Sequence, residues 1–342
     1  MRIRIEDVAR QADVSPKTVS RVLNNEPNVR AALRERVLRA VKAMGYRPHL
    51  SARSLASNRS FLVALLYDNP SPYYVMEVQN GVLDACDAHR YSMMVRPLHS
   101  GAPDFLVRVD ALLSHFRPDG LVLTPPIADH AELIGRLRAR GMPHARISPE
   151  RHDEGIGATL DERDAAREMV RHLVSLGHRR IGHITGHHAH GASGWRLLGY
   201  RDGLQRARLA YDEALVVEGL FSFDSGVAAA RQLLSLKRPP TAIFAGNDDT
   251  AAGVLWTAAA MGLAVPDDLS VCGFDDTPLS RQVWPSLTTV RQPSQDMGRI
   301  ATQQLLHAID GRTEACMVSV PYALRLREST GPAPSRGRAG RR

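Results

Sequence analysis

Three groups of side chains in this 342-residue chain have types and spacings that could do chemistry. In the run VSPKTVSRVLN, Lys17 and Arg21 stand one helical turn apart, with Thr18, Ser20 and Asn24 beside them and Asn28 just beyond. An arginine fork matches the O6 and N7 acceptors of guanine, whereas short polar groups suit phosphate oxygens. Ser15 and Pro16 open the same run and join the nucleic-acid-facing candidates. The second group is acidic: GNDDT (246–250) and GFDDT (273–277). No nucleophile or phosphate cradle lies beside these carboxylates, so binding hydroxyl groups is the chemistry they suggest. The third group is the histidine run GHITGHHAHG, with His183, His187, His188 and His190. Four imidazoles invite a metal, but no acidic or thiol ligand accompanies them in the run, and metal-bound histidines need a second shell to orient them. The run reads as polar loop residues, and no metal is expected.

These residues need elements to hold them. Ile5, Val8, Ala9 and Ala12 have the spacing of an amphipathic helix over Ile5 to Ala12. A second helix starts after Ser15, an N-cap residue, with Pro16 at the first helical position, and buries Val19, Val22 and Leu23. A third is predicted over Ala31 to Met44, burying Leu33, Val37, Leu38 and Val41 and stopping at Gly45. The turn at Asp13 to Ser15 makes the first two a helix-turn-helix, whose second helix enters the major groove. From Phe61 onward, FLVALLY, YSMMVRP, DGLVLTP, RRIGHIT, TAIFAGN and LSVCGFD read as parallel strands buried on both faces, each followed by a helical pattern. That is an open α/β architecture, which binds ligands outside the carboxyl ends of its strands. Two sets of strands predict two lobes facing a cleft.

Charge sharpens the picture. Residues 1–60 carry a net charge of +8, residues 331–342 carry +4, and the body between them has 27 basic against 31 acidic residues. A basic N-terminal module on a mildly acidic body points to a polyanion met by one end only. The tail GPAPSRGRAGRR offers no core and is expected to be disordered. Three cysteines without paired spacing, Cys86, Cys272 and Cys316, exclude a disulfide framework or thiolate zinc site and read as small buried hydrophobes. No stretch is apolar enough to span a bilayer and MRIRIEDVAR has no export core, so the expected location is the cytoplasm, away from membranes. G-x-S-x-G, P-loop, H-E-x-x-H and G-x-G-x-x-G motifs are all absent, so neither catalysis nor a cofactor is expected. A free sugar receptor would lack the first 60 residues, and a sugar-processing enzyme would need an acid–base pair or phosphate loop.

The run from Ile5 to Arg59 resembles the LacI/GalR family of transcription regulators through EDVA, VSPKTVSRVLN, RERV, GYRP and ARSL. PSPYY, GLVLTP, LVSLGHRRIGHITG, WRLLGYRDGL, FAGNDDTAAGVL and SVCGFDDTPLSR extend the resemblance over nearly the whole chain. It implies an all-α helix-turn-helix domain over 1–47, a hinge helix or linker over 48–60, and a two-lobed periplasmic-binding-protein-like core over 61–330. The N-lobe would take about 61–158 and 289–319, the C-lobe about 159–288 and 320–328, and residues 331–342 would form the tail. Base reading falls to the positions of Pro16, Lys17 and Arg21; Pro16 lacks a polar reader, which leaves Lys17 and Arg21. Asp13 replaces the family's usual turn glycine, at a small expected cost. Ala52, Arg53 and Leu55 match the hinge helix, whose Leu wedges into the minor groove. The implied sugar-effector set is Tyr74, Arg196, Phe221, Asn247 and Asp275, with Thr124 and Ser148 completing it. Arg196 would grip ring oxygen or hydroxyls bidentately, Asp275 and Asn247 would meet adjacent hydroxyls, and Tyr74 and Phe221 would wall the ring.

Ser148 stands where the family often has an Asp, two residues after Arg146. Either this corner favours an acidic sugar or a disaccharide, or both residues line the lobe interface without touching ligand. The implied whole is a homodimeric, allosteric repressor of carbohydrate uptake or catabolism genes, bound to pseudo-palindromic double-stranded operator DNA. No leucine heptad follows Leu326, so a dimer is expected rather than a helical tetramer.

Overall fold

The computed structural model describes residues 3–23, 28–46, 59–151, 155–312 and 316–334. Asn24, Ala52, Arg53 and Leu55, and with them the expected hinge, lie outside the described residues. The chain divides into two units, Met1–Phe61 and Leu62–Arg342.

The first unit packs α1 (Ile5–Gln11), α2 (Pro16–Leu23) and α3 (Ala31–Met44) around Val8, Ala9, Ala12, Val19, Val22, Val37, Ala40 and Tyr46. The Thr18 amide donates to Ser15 Oγ at 3.1 Å, so Ser15 is the N-cap its type suggests. Asp13 holds a left-handed φ of 49°, and Arg36 Nη2 donates to its carbonyl at 3.1 Å, tying the turn to α3. Gly45, at φ 60°, stops α3. One expectation fails here: Leu38 is 46% exposed, and Leu33 and Val41 are only half-buried. The buried stripe of α3 runs through Val37 and Ala40 instead, because two short neighbouring helices cover a narrow face.

The second unit contains two sheets. The first orders its strands β11-β5-β4-β3-β1-β2, with β1 Leu62–Tyr67, β2 Ser92–Pro97, β3 Gly120–Leu123, β4 His144–Ile147, β5 Ile156–Thr159 and β11 Met317–Ser319, all parallel. The second is ordered β12-β10-β9-β8-β6-β7, with β6 Ile181–Ile184, β7 Val216–Val217, β8 Ala242–Ala245, β9 Ser270–Asp275, β10 Thr288–Arg291 and β12 Ala323–Arg325. Only β12 in this sheet runs antiparallel, along β10. The six apolar runs are all strands, and β3, β6, β8 and β9 are buried throughout. The run YSMMVRP departs from expectation: β2 is an edge strand, half-buried at best.

Helices α4 (Pro72–Ala88), α5 (Phe105–Phe116), α6 (Ala131–Ala139) and α12 (Ser294–Ile309) accompany the first sheet. With the second go α7 (Glu162–Ser175), α8 (Gly191–Arg206), α9 (Phe223–Leu234), α10 (Asp248–Ala260) and the short α11 (Leu279–Gln282). The chain passes from one sheet to the other after β5, after β10 and after β11. β10 therefore belongs to the second sheet, and the return expected near 289 comes after Arg291. The tail also differs: Ala333 N–H donates to Leu176 O at 2.8 Å and Gly331 O accepts from His178 at 3.1 Å, so 331–334 are packed rather than loose. Cys86 and Cys272 are buried as expected, but Cys316 is exposed, at the end of a short edge strand. No helix among the described residues is long and apolar enough to cross a membrane.

Candidate functional site

In the first unit α2 buries Val19 and Val22 and leaves Pro16, Lys17 and Arg21 exposed, with Thr18 and Ser20 half-buried. Asn28, exposed, follows the helix. The outer face of α2 thus presents an ammonium and a guanidinium one turn apart. The Ser15 and Thr18 hydroxyls lie 2.9 Å apart and are partly occupied by each other and by the cap.

The second unit has its cleft where both strand orders reverse, between β1 and β3 and between β6 and β8. Splayed loops at such switch points leave a crevice at the carboxyl ends of the strands. Asn69, Ser71 and Tyr74 follow β1, Pro125 follows β3 and Ser148 follows β4. Facing them are His190, Ala192 and Arg196 after β6, Phe221 after β7, Asn247 after β8, Asp275 ending β9, and Gln292 and Glu162 at two crossovers. Six of the seven expected effector residues line this one cavity. Thr124 is the exception; its Oγ1 is buried beside Pro125 without a hydrogen-bond partner. The cavity offers about 30 Å³, room for a water or two.

Arg196 is the centre of the site. It is 5% exposed and its Nε donates to Glu162 Oε2 at 2.7 Å. Nη1 donates to Gly246 O and Nη2 to Gln292 Oε1 at 3.1 Å, while Asp275 Oδ1 lies 3.9 Å from Nη2. The guanidinium also lies 3.5 Å over the Phe274 ring. Three of its five N–H groups are thus spent on the protein, which leaves two. Gly199 and Gly203 make this possible: a Cβ on Gly199 would sit 2.2 Å from Arg163 O, and one on Gly203 would sit 2.6 Å from Val170 Cβ. Only bare glycines let α8 approach α7 closely enough for Arg196 to reach Glu162.

Asn247 lines the cleft and also holds the protein together. Its Oδ1 accepts the Thr250 amide at 2.9 Å and its Nδ2 donates to Phe221 O at 3.0 Å, so it caps α10 and pins the Phe221 loop. Phe221, at a left-handed φ of 57°, sits over Gly186, where a Cβ would come within 1.9 Å of its ring. Asp275 has φ 113°, and burial pushes its carboxyl well above the usual range; Arg196 opposes this, while Asp248, Glu162 and Asp249 reinforce it. Burial, then Asp275, likewise raises the Tyr74 phenol. Arg146 and Ser148, for which two readings stood open, are separated by the structure: the Arg146 guanidinium donates to Ala128 O at 3.4 Å and Arg151 O at 3.2 Å and is not among the cavity-lining groups, while Ser148 is.

The histidine run splits. His183 is buried between Tyr200 and Phe244, while His187 stacks at 4.3 Å on His188, which pairs with Glu218 at 3.0 Å, and lies 6.2 Å from His190, which lines the cleft. No group of three or more potential ligands able to hold a metal occurs among the described residues. Sequence reasoning missed Glu162, Gln292 and Asn69, which lie at crossovers and a loop mouth, and Ser71, which lies within the PSPYY run that supplied Tyr74. Ser71 Oγ donates to Asp249 Oδ2 at 2.7 Å and Trp195 Nε1 to Glu150 O at 3.0 Å, two bonds joining the lobes.

Comparison with known proteins agrees with this geometry. Residues 4–49 match the model of bacterial regulatory proteins of the lacI family, and residues 170–330 match a periplasmic binding protein-like domain. Catabolite control protein A of Priestia megaterium is 32% identical, with 96% of this chain and all of the relative covered. Among solved structures, a complex of the transcriptional regulator CelR with cellobiose is 31% identical, has a TM-score of 0.75 and covers 96% of this chain and all of the other. The lac repressor dimer bound to operator and the anti-inducer ONPF is 29% identical, has a TM-score of 0.80 and covers 97% of this chain and all of the other.

Proposed function

The chain belongs to the lacI family of bacterial regulatory proteins, and on that footing we propose that it is a homodimeric repressor of carbohydrate uptake or catabolism genes whose operator affinity is set by a small carbohydrate in the interlobe cleft. The observation that carries the reading is the presence, in one chain, of a capped helix with Lys17 and Arg21 exposed and a cleft built round a buried Arg196. Lys17 and Arg21 read base edges, and Thr18, Ser20 and Asn28 meet phosphates. Within the cleft Arg196, Asp275 and Ser148 bind hydroxyls, Tyr74 and Phe221 wall the sugar, and Asn247 holds Phe221 in place. The reading assigns the cleft no catalytic role. The similarity to a repressor solved as a dimer on its operator supports two copies on a pseudo-palindromic site, as does exposed apolar surface on the core: Phe223 (42% exposed) touches Trp256 (49%), and Trp284 is 84% exposed.

The test begins with selection of a bound duplex from a random pool, followed by anisotropy titration at several salt concentrations. A dyad-symmetric site with a steep fall in affinity as salt rises is expected. Arg21→Ala should lower the preference for that site over random duplex by about 1–3 kcal/mol while sparing non-specific binding. Equal weakening on all duplexes would remove Arg21 from base reading, and no selected site at all would remove the function.

A further inference from the structure

The cleft's one cation is already engaged, and this bears on the kind of molecule it takes. Arg196 is the one cationic side chain on its wall among the described residues, and it is paired with the Glu162 carboxylate, while burial favours the uncharged form of Asp275. Asp248 lies wholly buried just behind, holding Thr277 and Thr289, and Asp249 holds Ser71. His190 adds no charge at neutral pH, because burial, followed by repulsion from His187, pulls its pKa down to about 4. Glu162 is 1% exposed, and while its Oε2 takes the Arg196 Nε–H, its Oε1 has no hydrogen-bond partner. A buried carboxylate oxygen with no donor from the protein favours a ligand that brings one.

Resting on the reading of the cleft as the effector site, we infer that Glu162 is its specificity-determining residue, and that the effector is a small polyol without negative charge, neutral or amine-bearing, which donates a hydrogen bond to Glu162 Oε1. A carboxylate or phosphate entering the cleft would face the buried Glu162 carboxylate across a guanidinium already shared among Glu162, Gly246 and Gln292. A hydroxyl or ammonium entering the same space supplies what Oε1 lacks, and its lone pairs or neighbouring hydroxyls can take the two spare Arg196 N–H groups. Specificity of this kind is a difference in free energy that comes mainly from rejecting the wrong charge.

The experiment measures binding of matched hexoses, 2-amino hexoses, hexuronic acids and hexuronamides in the gluco, galacto and manno series to the full chain by calorimetry at pH 7, with operator release as a second readout. The best hexose or amino hexose is expected to bind at least about tenfold more tightly than its uronic acid, and the uncharged uronamide should recover most of that loss. Glu162→Gln should cut the discrimination against the acid by about tenfold. A uronic acid that binds as well as its hexose overturns the inference and leaves the regulator reading intact. Full discrimination retained by a folded Glu162→Gln removes Glu162 from the role. Should that variant not fold, the acid–amide comparison on the unaltered chain decides. If no sugar of any class binds, the carbohydrate reading itself fails.

Discussion

Side chains in this protein do several jobs at once, and their types alone do not say which. Asn247 could donate and accept for a sugar, yet both ends of its amide are committed to the protein. His183 sits in a suggestive histidine run and proves to be core: it stacks at 5.0 Å from Tyr200 and 4.9 Å from Phe244, its Nδ1–H donates to Phe244 O at 2.8 Å, and its Nε2 has no partner. Burial lowers its pKa from 6.5 to about 4. The unfolded chain therefore takes up a proton near pH 6.5 that the folded chain refuses until about pH 4, and the stability due to neutral His183 drains away as pH falls through that window. Asp248 and Asp275, whose carboxyls burial raises, act in the opposite sense, so the useful quantity is a difference. The stability advantage of the unaltered core over His183→Phe should shrink by about 3 kcal/mol in urea unfolding between pH 7.5 and pH 4. A constant difference would mean that His183 charges without unfolding the protein.

At the scale of elements, the helices are written into local chemistry. Ser15 and Pro16 start α2, Gly45 ends α3, and the spacing of Val8, Ala9 and Ala12 faces α1 inward. What neighbouring helices do to each other is less visible. Gly199 lies inside WRLLGYRDGL with no turn to explain it, and its purpose emerges only against Arg163 of α7. Gly199→Ala should cost about 1–3 kcal/mol through overpacking, and it should also move α8 away so that Arg196 loses Glu162. Thermal unfolding would report the first effect. Loss of the operator response to sugar, with operator affinity unchanged in its absence, would report the second. An alanine variant with normal stability and response would show that the two helices part freely.

At the scale of the whole molecule, the proposed function ties sugar binding and operator binding together by linkage. If sugar alters operator affinity by some factor, operator must alter sugar affinity by the same factor. For a typical coupling of about 1–3 kcal/mol that is a change of about 5- to 150-fold, measurable by sugar titration with and without saturating duplex. Unequal factors would mean that sugar acts at more than one place. Much of this architecture is legible in the residues themselves. The helix-turn-helix, the capped second helix, the alternation of buried strands with helices, and six residues of the cleft follow from periodicity, capping and family motifs, which depend on near neighbours in the chain. Tertiary structure alone decides that Arg146 bonds the Ala128 and Arg151 carbonyls, that Asn247 is a cap, that His183 is core, and that Glu162 meets Arg196. Each of these depends on groups brought together from distant parts of the chain, such as Glu162 and Arg196 34 residues apart, and on burial that no short run of sequence encodes.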